Sequence, residues 1–121
     1  MPDAETPSAP GLPVEISGLL ASVWKQYAGE RPSDTQTEVR DNRVRCVHKD
    51  AVRSFDEGMA AGETEDGADG TRRTQFAYRN DAIAAVRRAT GRRVVALVSD
   101  RDTETDVATE VFLLESRSYR R

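Results

Sequence analysis

Apolar residues recur at three- and four-residue intervals through Ile16, Leu19, Leu20, Val23, Trp24 and Tyr27, the spacing of one face of an α-helix. Pro13 suits the first turn, where its missing N–H has no intrahelical partner to lose, and Gly29 supplies a stop. The spacing therefore predicts a helix over 13–28. The period then changes. Thr35 to Arg40 and Arg43 to His48 read as strands joined at Asp41-Asn42, a pair that tolerates positive φ in a tight hairpin. On the second strand Val44, Cys46 and His48 share one face, and Arg43, Arg45 and Val47 the other.

Val52, Phe55 and Met59 at i, i+3 and i+7 predict a short helix over 50–61, with Asp50 as its N-cap. Glu63 to Gly70 has no large apolar residue and reads as a mobile loop. Thr71 is expected to cap a long helix on which Phe76, Ile83 and Val86 line up with Ala82 and Ala89, ended by Gly91. Val94 to Val98 is a continuous apolar run, the mark of a strand covered on both faces. Asp100 to Asp106 turns the chain, and Val107 to Leu114 returns as a second strand. The order is α-β-β-α-α-β-β, and the short turns make each strand pair an antiparallel hairpin. The expected fold class is α+β: a four-stranded antiparallel sheet of two hairpins with helices packed on one face. Residues 1–12, three of them proline and two acidic, read as a disordered arm, 13–116 as a single domain and 117–121 as a frayed basic tail.

Composition narrows the picture. Of the 121 residues 37% are apolar and 6% aromatic while 32% are charged, so the core is small and a homodimer sharing one face is the expected remedy. The net charge of −3 conceals two blocks. Asp50 to Gly70 carries seven acids against Arg53, and Thr71 to Arg101 carries eight arginines against Asp81 and Asp100. Adjacent blocks of opposite sign are expected to pair with each other or with a twofold mate. The single cysteine, Cys46, excludes an intrachain disulfide and suits a reducing compartment. No apolar run approaches the ~20 residues that cross a bilayer, and Met1 to Pro10 lacks the basic and apolar regions of a secretory signal. The expectation is a cytoplasmic protein with no direct membrane insertion.

The chemistry-bearing residues are few. Cys46 and His48 lie two apart on a strand, side by side rather than facing, with no third group in the sequence to orient the histidine; the expectation is a buried thiol beside a half-exposed histidine, and no enzyme. Asp100, Asp102, Glu104 and Asp106 alternate like half a calcium loop, but Thr105 replaces its glycine and Val111 its closing glutamate. No zinc spacing, phosphate loop or dinucleotide fingerprint occurs, so neither cofactor nor metal is expected. Arg79 falls between Phe76 and Ile83 on the apolar stripe, where a guanidinium must snorkel outward or meet an acid or anion. Arg31, Arg73 and Arg79 are thus candidate anion or interface residues. The arginine-rich helix Thr71–Arg93 offers an alternative, a nucleic-acid-binding module, but lysine is scarce and no exposed aromatic platform accompanies it, so nucleic acid ranks as an unlikely partner.

From about Ser22 to Glu115 the chain resembles the MpsC-like family, a bacterial domain named after a sodium-translocating membrane-potential-generating system. The resemblance is most specific in Thr90-Gly91-Arg92-Arg93-Val94-Val95-Ala96-Leu97-Val98-Ser99-Asp100 and in Asp106 to Glu115. It is looser upstream: Arg31 stands where the family usually has a second glycine, and Val52-Arg53-Ser54-Phe55-Asp56 replaces a Leu-Thr-x-x-Glu element. The resemblance implies a non-catalytic accessory or regulatory protein linked to a membrane transporter complex for cations or inorganic carbon. It carries over no catalytic residues.

Overall fold

The computed structural model describes residues 8–62 and 68–116, with side chains at 11–57 and 73–116. The elements run α1 (Ser8–Ala28), β1 (Asp34–Arg40), β2 (Arg43–Lys49), α2 (Val52–Gly62), α3 (Ala68–Thr90), β3 (Val94–Asp102) and β4 (Val107–Leu114). All strand pairs are antiparallel, in the order β1-β2-β4-β3. The two hairpins meet through β2 and β4, and the helices pack on one face of the sheet, as the α+β reading expects.

The stripe of α1 sits where its spacing places it, with Ile16, Leu20 and Trp24 buried and Leu19, Val23 and Tyr27 packed at their margin. The helix begins at Ser8, so residues 8–12 are helical rather than an arm, and Pro13 lies inside it. Residues 1–7, the acidic segment 63–67 and the tail 117–121 lie outside the described residues. Gly29 and Gly91 both adopt positive φ (92° and 70°), and each donates its N–H to a carbonyl four residues back, closing α1 and α3.

Three local expectations are corrected. Asp50 does not cap α2: its φ of 55° is left-handed, and its carboxylate accepts from the Ser33 hydroxyl. The cap comes instead from the turn between β3 and β4, where Asp106 accepts the Arg53 N–H at 2.8 Å and its carbonyl accepts the Ala51 N–H at 3.1 Å. The long helix starts at Ala68, ahead of Thr71, and its buried face is Tyr78, Ala82, Ala85 and Val86. Phe76 points outward, 61% exposed. Ala82 and Val86 of the expected stripe are buried and Ile83 and Ala89 pack at the margin, while Tyr78 rather than Phe76 meets Trp24 and Tyr27 of α1. Finally, β3 is an edge strand rather than one covered on both faces. Val95 sits at a register break and is 54% exposed, and Val98 is 57% exposed.

Cross-strand partners share a face, so the register defines the side without helices. There Val98 pairs with Val111 and Ala96 with Leu113, while Val111 and Leu113 lie opposite Arg45 and Arg43 of β2. An apolar column thus runs beside a basic one.

Removing the borrowed cap tests how far α2 depends on the far hairpin. Asp106→Ala is expected to lower stability by about 1–2 kcal/mol in urea unfolding, with Asp106→Asn recovering most of it and Asp50→Asn changing the α2 amide protection little.

Candidate functional site

The inward face of β2 carries Val44, Cys46 and His48, and that of β4 carries Ala108, Glu110, Phe112 and Leu114. Register sets Cys46 opposite Glu110 and His48 opposite Ala108, whose small side chain leaves the imidazole room to lean toward the carboxylate. On the other side of β2, Thr35 faces His48 and Thr37 faces Cys46. The result is a chain of polar contacts under the helices. Thr35 Oγ1 meets His48 Nδ1 at 3.0 Å, His48 Nε2 meets Glu110 Oε1 at 2.9 Å, and the Tyr78 hydroxyl donates to Glu110 Oε2 at 2.5 Å. Cys46 Sγ lies 3.7 Å from His48 Nε2 and accepts from the Thr37 hydroxyl at 3.6 Å.

Aromatic rings close this chain from above. Trp24 stacks on His48 with centroids 4.6 Å apart and on Phe55 at 4.4 Å, and Tyr78 meets Trp24 edge-on at 5.4 Å. His48 and Cys46 are fully buried and Glu110 is 2% exposed. His48 is therefore not half-exposed as the strand pattern suggested. A third group does stand beside the Cys46–His48 pair. Glu110 went unrecognised because it is 62 residues from His48 in sequence, and only the β2–β4 pairing joins them. The available signal was an acid at an inward position of an otherwise apolar strand.

Burial pushes the Cys46 thiol up to about 12, helped by the Glu110 charge and opposed by the Thr37 hydrogen bond. Burial, and then the same carboxylate, hold the Tyr78 hydroxyl well above its usual value. Tyr78 is thus a neutral donor to the carboxylate, and Cys46 a neutral thiol beside it. Nucleophilic catalysis is disfavoured on two counts: the thiolate is suppressed, and Cys46 and Glu110 address the same ring nitrogen, whereas a triad needs base and orienter on opposite nitrogens. The ligating atoms of Cys46, His48 and Glu110 all lie within 4.8 Å of one another, so among the described residues these three form the group that could hold a metal.

A cavity of about 300 Å³ reaches this network, lined by Trp24, Tyr78 and Glu110 within and by Arg79 and Arg101 toward its mouth. Arg79 is half-buried and donates to the Leu97 carbonyl at 3.4 Å. Arg101 crosses the Phe55 ring at 4.6 Å and meets Asp56 at 3.4 Å, a contact between the two charge blocks. Arg31 lies elsewhere, donating to Ser22 at 3.0 Å beside a separate surface hollow with Asp50 and Asp106. Arg73 is exposed on α3 and lines neither hollow. Of the three candidate arginines, only Arg79 joins the cavity. Among the remaining arginines, Arg92 is tied to the Asp41 carbonyl, the Asn42 side chain and the Glu115 carbonyl, and Arg93 lies 3.8 Å from Glu115.

Residues 11–116 match the family described as Na+-translocating membrane potential-generating system (MpsC). Neither a curated protein nor a solved structure matches the chain significantly.

Two measurements probe the network. Glu110→Ala is expected to destabilise by about 3–5 kcal/mol, the usual loss when one partner of a buried charged contact is removed. Cys46 has a folded pKa above its unfolded value of 9.0, so its contribution is full below pH 9 and is lost as pH rises toward about 12. Wild-type stability is therefore expected to fall more steeply between those values than that of Cys46→Ser, in denaturant titrations across the alkaline range.

Proposed function

Because the chain belongs to the MpsC family, we propose that it is a cytoplasmic, non-catalytic accessory or regulatory component of a membrane system handling cations or inorganic carbon. It works through protein contacts, first with a second copy of itself. No helix among the described residues is long and apolar enough to cross a membrane, so ion movement is assigned to a transporter partner. The observation that carries the protein-contact reading is the bare face of the sheet. Val98 and Leu113 are exposed at 57% and 37% beside Arg43 and Arg45, and Glu38 of β1 lies across from Arg45. An apolar column flanked by bases and acids offers a twofold mate both a dry centre and opposite charges at its rim.

Small-anion sensing is the second part of the proposal and falls to Arg79, at the mouth of the cavity beside Arg101. Arg31 and Arg73 belong with surface contacts. A nucleic-acid role for the arginine-rich helix is less well supported, since Arg79 is held by the Leu97 carbonyl and Arg92 binds backbone and side chain of the β1–β2 turn.

Sedimentation at tens of micromolar is expected to show a dimer. Val98→Glu with Leu113→Glu is expected to weaken it at least about tenfold, because like charges would meet in a desolvated centre, with circular dichroism unchanged. A wild-type monomer, or a double variant that dimerises as before, would overturn the proposal. For sensing, calorimetry with bicarbonate, phosphate and sulfate is expected to give binding that Arg79→Ala removes.

A further inference from the structure

Cys46, His48 and Glu110 do more than satisfy one another. One ring nitrogen, His48 Nε2, faces both the thiol at 3.7 Å and the carboxylate at 2.9 Å, and a single N–H cannot serve both. We propose that these three residues form a buried site for a divalent transition metal ion of the zinc type, with Thr35 and Tyr78 positioning the ligands. The inference stands independently of the accessory role.

The ligand atoms are those a borderline ion takes, one sulfur, one imidazole nitrogen and one carboxylate oxygen; sulfur and nitrogen argue against calcium or magnesium. Metal–ligand bonds of about 2.0–2.3 Å at tetrahedral angles put ligand atoms roughly 3.3–3.6 Å apart. The Cys46–His48 separation of 3.7 Å is already close to this, and the His48–Glu110 contact of 2.9 Å needs to open by a few tenths as the ion replaces the hydrogen between them.

The outer partners also match a metal site. Thr35 Oγ1 can accept a hydrogen bond from the N–H that the imidazole carries at Nδ1 when Nε2 binds the ion, and the Tyr78 hydroxyl fixes the second carboxylate oxygen. Charge balances: a dication, a thiolate, a carboxylate and a neutral imidazole sum to zero, which suits the dry interior. Binding releases the Cys46 proton to solvent. The cavity touches the site on its carboxylate side, at Glu110 and Tyr78. Trp24, whose buried Nε1–H has no acceptor among the described residues, lines the same cavity.

Cobalt(II) is the probe, added to the metal-stripped full chain. The expected result is one ion per chain, a thiolate-to-cobalt charge-transfer band in the near ultraviolet, displacement by zinc(II), and a zinc-dependent rise in the wild-type melting temperature. Cys46→Ser is expected to lose the band, and Tyr78→Phe to keep it with affinity weakened about 10–100-fold. Absence of the band from folded wild-type protein overturns the proposal, as does cobalt binding equally tight in Cys46→Ser, which would place the ion on surface acids. Should Cys46→Ser fail to fold, the wild-type band and zinc-dependent melting shift still decide: neither appearing, or a band arising only once circular dichroism shows unfolding, overturns it.

Discussion

A carboxylate in the middle of a small core must be hydrogen-bonded on both oxygens, and meeting that demand for Glu110 fixes how most of the elements meet. The side chain rises from β4, takes Tyr78 from α3 on one oxygen and His48 from β2 on the other. Through His48 it reaches Thr35 of β1, and Trp24 of α1 lies over the imidazole. Each contact excludes alternatives, because a buried polar group without its partner costs several kcal/mol. A one-residue slip of β4 against β2 would turn Glu110 to the open side and lose its contacts with both His48 and Tyr78.

The apolar part of the core is correspondingly spare. Trp24, Phe55, Phe112, Ile16 and Leu20 supply most of its bulk, and alanines on α3 let the helices close over the sheet. With apolar residues this scarce, the chain covers one face only. The valines of β3 and β4 on the other side are what remains, next to the arginines of β2. The same shortage underlies both proposed sites: the polar cluster in the interior and the exposed outer face of the sheet.

Much of this architecture was legible in the sequence because local periodicity carried it. The α1 stripe, both hairpins and the sharing of one face by Val44, Cys46 and His48 follow from spacing alone, and so does the α+β class, whereas the full burial of His48 does not. What failed was non-local. Nothing within Asp50 to Phe55 shows that the cap of α2 arrives from Asp106, 53 residues away from the amide it binds. The Val94–Val98 run looks like a central strand, yet strand order, which short turns do not determine, places it at an edge. On α3 the spacing places Ala82, Ile83, Val86 and Ala89 at the core, but Phe76 lies outside it and Tyr78, which reaches Glu110, takes the aromatic position. Arg79 was singled out for its place among apolar residues and does enter the cavity, whereas Arg31 and Arg73 share no site with it. Glu110, the hub, was passed over inside a strand that reads as scaffold.

That hub role is open to a direct energetic measurement. A double-mutant cycle on His48→Gln and Glu110→Gln, read by urea unfolding with matched m-values, isolates the coupling between the two side chains from the loss of each alone. The account requires a coupling of about 1 kcal/mol or more, within the range of residues sharing one buried network. Additivity to within about 0.3 kcal/mol would mean that the two groups are merely neighbours in a core organised by its apolar residues.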